Sequence, residues 1–165
     1  MSKEYLAGQM DFSDVPGFDY YSPDAYALTP LQMVYDFAEV MGQLVDATKG
    51  QPSSHWSTEV LEDEFMREEL IREEYKEFME ASQQEFADTS SVDVLKELAD
   101  LVYVVYGYAA FRGWDLDEAV QRVHANNMDR CIWPDGSIRK REDGKVLKNP
   151  NAPRVDLSDL VEKVP

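Results

Sequence analysis

From Leu98 to Phe111 the chain reads Leu-Ala-Asp-Leu-Val-Tyr-Val-Val-Tyr-Gly-Tyr-Ala-Ala-Phe, with one charge, Asp100. A helix that is apolar at every phase belongs in the interior, so this stretch predicts a helix buried on all sides. An ionised carboxylate there is costly unless it is paired or metal-bound. Glu97 stands one turn before Asp100 and shares its face. A lysine or arginine partner would meet the cost as well as a metal does.

A second acidic pair, Glu74 and Glu77, lies upstream in Arg-Glu-Glu-Tyr-Lys-Glu with the same i, i+3 spacing. At about 100° per residue, Arg67, Leu70, Ile71, Phe78 and Ala81 fall within about 60° of Glu74. Glu74 therefore points inward, Glu77 sits at the edge of that face, and Glu73 lies further round. Glu59, Glu62, Glu64, Glu68, Glu69, Glu80 and Glu85 are expected on solvated faces. Four converging carboxylates repel one another unless divalent cations separate them.

Capping residues divide the rest. A first helix is expected from Thr29-Pro30 to before Lys49-Gly50, with Leu31, Val34, Tyr35, Ala38, Met41 and Val45 in phase. The second runs from Ser57 or Thr58 to about Phe86. The third starts near Ser90, with Asp93 in a capping-box-like position, and stops at Gly113. A fourth runs from Asp115 to about Arg130. Turn signals then surround a possible two-stranded ribbon, Ser137-Ile-Arg-Lys-Arg with Lys145-Val-Leu-Lys. Residues 1–29 read as an irregular arm, and the tail from Pro150 as extended.

A net charge of −17 disfavours nucleic acid and anionic membranes as partners. One cysteine, Cys131, excludes an internal disulfide, and the N-terminus has no apolar signal core, so a cytoplasmic protein is expected. Cys131 and His124 are expected as packing residues, as are Trp56, Trp114, Trp133 and the tyrosines at 103, 106 and 108. Oxygen-only ligands suit Mg2+ or Mn2+. Neither acidic pair contains histidine, which argues against a di-iron bundle, and thiolate or His-Glu-x-x-His zinc patterns are missing. Hard cations on carboxylates most often handle phosphate. Asn126, Asn127, Arg130, Arg139, Lys140, Arg141, Lys145 and Lys148 form a local excess of phosphate-binding side chains in an otherwise acidic chain.

The pairing of Glu74-x-x-Glu77 with Glu97-x-x-Asp100 resembles the all-α nucleotide pyrophosphohydrolases: MazG-like proteins, dimeric dUTPases and phosphoribosyl-ATP pyrophosphohydrolase. Val123-His-Ala-Asn-Asn-Met-Asp-Arg and Arg141-Glu-Asp-Gly-Lys-Val-Leu-Lys extend the similarity to the small MazG-like branch of phages and bacteria, over roughly residues 30–157. The resemblance implies hydrolysis of a nucleoside triphosphate to the monophosphate and pyrophosphate, with Glu74, Glu77, Glu97 and Asp100 binding two or more Mg2+ or Mn2+ ions. It implies Glu73 as binding a further metal or orienting the water, and Glu74 or Glu73 as accepting its proton. Asn127 and Arg130 match sugar- and phosphate-contacting positions, and Lys145 and Lys148 match a basic tail. Arg141 is a further phosphate candidate. Arg130 replaces the usual lysine after Asn-Met-x and has a different donor geometry.

The resulting expectation is an all-α fold. It consists of an arm (1–29), a four-helix-bundle MazG-like domain (30–157) with a short ribbon or extended segment at its end, and a tail (158–165). An apolar third helix needs more cover than three neighbours provide, which favours a homodimer or homotetramer with the site near an interface. By analogy with phage-type relatives, dGTP or GTP is the first expected substrate, with dUTP or a broad house-cleaning role next. For a phage protein the compartment would be the host cytoplasm. A rival of another class is a non-enzymatic acidic module or DNA mimic, which leaves the inward carboxylates and the basic segment unexplained.

Overall fold

A computed structural model describes residues 28–49, 51, 53–84 and 90–161. Most of the expected arm, the turn before the third helix and the last residues lie outside them. The chain is all-α: α1 (Pro30–Met41), a 3-10 turn (Ser53–His55), α2 (Thr58–Gln84), α3 (Ser91–Arg112), α4 (Leu116–Cys131) and a short α5 (Ser158–Val161). No strand forms among the described residues.

The N-cap positions act as read, although the box expected between Ser90 and Asp93 does not form. Thr29 and Gln32 exchange hydrogen bonds in a capping box, with Pro30 opening α1. Ser90 accepts from the Val92 N–H to start α3, and Asp115 accepts from the Glu118 N–H to start α4. The first helix is shorter than expected. Gly42 takes the left-handed conformation (φ 64°) and closes α1 at Met41, so Val45 lies in a loop rather than on the helix. That loop docks on the end of α3: Asp46 and Ala47 N–H groups donate to the Ala110 and Phe111 carbonyls (2.9 and 2.8 Å). The close approach requires glycine at 113. A Cβ there would stand 2.7 Å from Asp46 Oδ1 and 2.9 Å from Lys49 Cβ, and φ is 68°.

α2 and α3 make the most extensive helix contact, and α1 packs across α3. Val34 and Ala38 of α1 meet Ala109, Ala110 and Phe111 of α3 in the buried core, with Phe111 fully enclosed. Arg67 is buried with them. Its guanidinium donates to Asp63 (3.0 Å), the Gly107 carbonyl (3.3 Å) and the Leu44 carbonyl (3.2 Å), and lies 5.1 Å over the Phe111 ring. Every donor branch is thereby satisfied without leaving the interior.

Burial of α3 on all sides does not hold. Only its C-terminal turns are enclosed. Val92 and Leu95 are 72% and 66% exposed, and Leu98, Val102 and Val105 are also open. The physical reason is coverage: α1 and α2 face only part of the α3 circumference. The expected ribbon is reduced to an isolated antiparallel bridge between Lys140 and Val146, extended by the Arg141 N–H to the Lys145 carbonyl and the Leu147 N–H to the Arg139 carbonyl. The tail folds back on α4. Arg122 holds Asp159 with both guanidinium branches (2.6 and 2.9 Å), and Asn126 donates to the Pro153 carbonyl (2.8 Å). No helix among the described residues is long and apolar enough to cross a membrane.

Candidate metal centre

Contacts between α2 and α3 run in opposite chain order. Glu64 meets Arg112, Arg67 meets Gly107, and Glu74 meets Glu97 and Asp100, so the helices are antiparallel. This brings the two acidic pairs together. Glu74, Glu97 and Asp100 each offer a carboxylate oxygen within 4.8 Å of the other two, and all three are half-buried. Glu77 lies outside this triad, at an exposed position one turn along α2. It is still close enough to act on Glu74, whose carboxyl is raised above its ordinary range. Burial is the main cause, followed by the charges of Glu77, Asp100 and Glu97, with Lys96 opposing them.

Asp100 is less enclosed than expected, with a side chain 43% exposed against 16% for Glu97. The neutralising cation is Lys96. Its Nζ lies 2.7 Å from Asp100 Oδ2 and 3.1 Å from Glu97 Oε1. The sequence reading allowed for a lysine partner without identifying this one. Its signal is the i, i+4 spacing to Asp100, legible in Lys-Glu-Leu-Ala-Asp. The donor set fits a divalent metal: oxygen ligands only, from two helices, with more negative charge than one ammonium balances. Glu73, beside Glu74, is exposed.

One turn from the triad on both helices lies an apolar cavity of ≈ 230 Å³. Leu70 precedes Glu74 by a turn, and Tyr103 and Val104 follow Asp100 by a turn. Phe37 from α1 and Arg67 complete much of the lining. Phe37 and Tyr103 meet edge to face at 5.9 Å between ring centres.

The phosphate candidates separate into groups. Lys148 Nζ donates to Asn127 Oδ1 (2.5 Å), joining the tail to α4. Arg130 is half-buried near them; its carbonyl accepts from the Asn149 N–H (2.7 Å), and its Nε has no hydrogen-bond partner. Arg141 forms a close ion pair with Asp143 in the turn, Arg139 pairs with Asp135 and stacks 3.9 Å over Trp133, and Lys145 is exposed.

At the other end of the α2–α3 pair, Glu64 corrects the solvated-face expectation. It is half-buried and accepts from Tyr108 Oη (2.6 Å) and Arg112 Nη1 (2.9 Å). Arg112 is stacked 4.3 Å from the Trp114 ring and 4.9 Å from the Trp56 ring. The sequence signal for this arrangement is Arg112 at the end of the apolar helix, two residues before Trp114; Trp56 comes from far upstream.

No curated protein matches the chain at a significant level. A family model does: residues 34–127 match phosphoribosyl-ATP pyrophosphohydrolase. The match covers more than half of the chain and includes α2, α3, both acidic pairs and most of α4. These helices, their acidic cluster and the matched segment assign the chain to the phosphoribosyl-ATP pyrophosphohydrolase family of all-α, divalent-metal-dependent nucleotide pyrophosphohydrolases.

Proposed function

We propose that this protein hydrolyses a nucleoside triphosphate to the monophosphate and pyrophosphate, as a small phage- or bacterial-type MazG-like enzyme centred on residues 30–157. The observation that carries the reading is the convergence of Glu74, Glu97 and Asp100 from two antiparallel helices. These three carboxylates, with Glu77 at the rim, hold Mg2+ or Mn2+. When bound, the metal polarises phosphoryl oxygens and makes water a better nucleophile. Glu74 or Glu73 takes the proton of the attacking water. Asn127, Arg130, Arg141, Lys145 and Lys148 supply hydrogen bonds and positive charge to sugar and phosphates.

The base is received by the ≈ 230 Å³ cavity, whose aromatic walls, Phe37 and Tyr103, suit a planar ring. Our first assignment is dGTP or GTP, followed by dUTP or several dNTPs. A second reading is favoured by the family match: phosphoribosyl-ATP itself, whose adenine would use the same apolar walls. The open apolar residues of α2 and α3, Leu61, Phe65, Leu95 and Val102 among them, support a homodimer or homotetramer.

The test is a chromatographic screen of all NTPs, dNTPs and phosphoribosyl-ATP with Mg2+, with pyrophosphate measured by coupled inorganic pyrophosphatase. The reading expects monophosphate and pyrophosphate in equal amounts from at least one triphosphate. Release of a diphosphate and orthophosphate would contradict it. No turnover together with no metal-dependent stabilisation would favour an acidic binding module.

A further inference from the structure

We infer that Lys96 is a tethered counter-ion of the metal centre: it bridges Glu97 and Asp100 when no metal is bound, and a divalent cation must displace it to bind. This inference rests on the metal reading above and deepens it. Lys96 donates to both Glu97 oxygens (3.1 and 3.3 Å) and to Asp100 Oδ2 (2.7 Å), so one ammonium holds two of the three triad carboxylates. A divalent cation held by Glu97 and Asp100 would need lone pairs on these same carboxylates and would be repelled by the ammonium beside them.

The attachment also explains how three carboxylates stay together without metal. Lys96 is on α3 with Glu97 and Asp100, so the cation is supplied by the helix that carries two of the three triad carboxylates. Its side chain is 63% exposed, which leaves room to swing away into solvent once its place is taken. The other lysine–carboxylate pair on these two helices is different. Lys76 lies 3.6 Å from Glu80, at exposed positions that touch no member of the triad. Lys96 therefore lowers metal affinity while making the empty centre tolerable, and so sets the metal concentration at which the site fills.

The bland alternative is an ordinary exposed ion pair whose loss changes nothing. The two are separated by calorimetric titration of Mn2+ into the full chain, comparing wild type, Lys96→Met, Lys96→Arg and Lys76→Met. The last variant changes net charge equally but away from the triad. The inference expects Lys96→Met to bind Mn2+ roughly fivefold more tightly, from loss of ion pairs of ordinary exposed strength. Lys96→Arg and Lys76→Met should stay within twofold of wild type. Equal affinity in wild type and Lys96→Met, with binding intact, overturns the role of Lys96 alone. Equal tightening by Lys76→Met and Lys96→Met also overturns it, because net charge then accounts for the effect. Absence of Mn2+ binding in every variant overturns the metal reading as well.

Discussion

The two ends of the α2–α3 pair solve opposite electrostatic problems with similar residues. At one end Glu64 meets Tyr108 and Arg112, and the guanidinium is packed between Trp56 and Trp114. Glu64 Oε2 and Arg112 Nε are buried without a hydrogen-bond partner, but opposite charges meet there and the guanidinium is stacked, so the charge at that end is balanced within the chain. At the other end Glu74 meets Glu97 and Asp100, and among the described residues Lys96 is the cation paired with them. Both ends bring α2 carboxylates to α3. Only the second gathers like charges, which folding alone does not favour. Opposite charges meet at the first end, whereas the second keeps more negative charge than its one lysine balances, which marks it as the candidate site.

The largest effect should come from the uncompensated end. Glu74→Gln is expected to lower hydrolysis by at least about a thousandfold in a steady-state assay, because it removes a proposed metal ligand and a proposed proton acceptor together. Circular dichroism should show unchanged helicity. If turnover survives, the contrast between the two ends has no catalytic meaning.

Arg112→Ala tests the compensated end and should fail differently. It leaves Glu64 half-buried with one donor fewer and removes the stacking partner of two tryptophans. A loss of about 2–3 kcal/mol is expected, or a Tm lower by roughly 5–10 °C in scanning calorimetry. Mn2+ affinity of the folded protein should stay within about twofold of wild type. A large change in metal affinity would mean that the two ends are coupled.

A smaller effect separates them by pH. The Glu74 carboxyl is held above its ordinary value of 4.5 in the folded chain, so the folded state holds that proton more tightly than the unfolded state. Its contribution to stability is present in full below the unfolded value and is lost as pH rises through the folded one. The metal-free protein should therefore gain up to about 2 °C in Tm at neutral pH from Glu74→Gln, with a smaller or no gain near pH 4. Saturating Mn2+ should reverse the sign at neutral pH. A metal-free Glu74→Gln protein that melts lower than wild type would show that Glu74 is compensated after all. The smallest effect is expected from Glu80→Gln, on the solvated side of α2: within about 0.5 kcal/mol in stability and no change in metal affinity.

Much of this was legible in the sequence because it depends on local rules. Thr29, Ser90 and Asp115 act through N-caps that need no tertiary partner, and Gly113 ends α3 in the left-handed conformation expected of it. Helical phase alone put Glu74 inward and Glu80 outward. The misreadings share a cause: they required knowing what lies opposite. Glu64 looks like its neighbours in a glutamate-rich helix until Arg112 and Tyr108 are placed across from it. Val45 keeps helical phase past a glycine that has already ended α1. An apolar sequence around Asp100 shows that α3 wants cover, but not which faces this chain covers. The contacts of Arg130 and Lys148 depend on a tail whose path follows hydrogen bonds to α4 rather than periodicity.

The most direct test of the central claim is product analysis with Asp100→Asn beside wild type, in Mg2+ and a triphosphate that wild type accepts. Wild type should form monophosphate and pyrophosphate only when metal is present, and Asp100→Asn, with native helicity, should form neither above background. Near-normal release of both products by Asp100→Asn would contradict the assignment of the carboxylate triad as the metal centre.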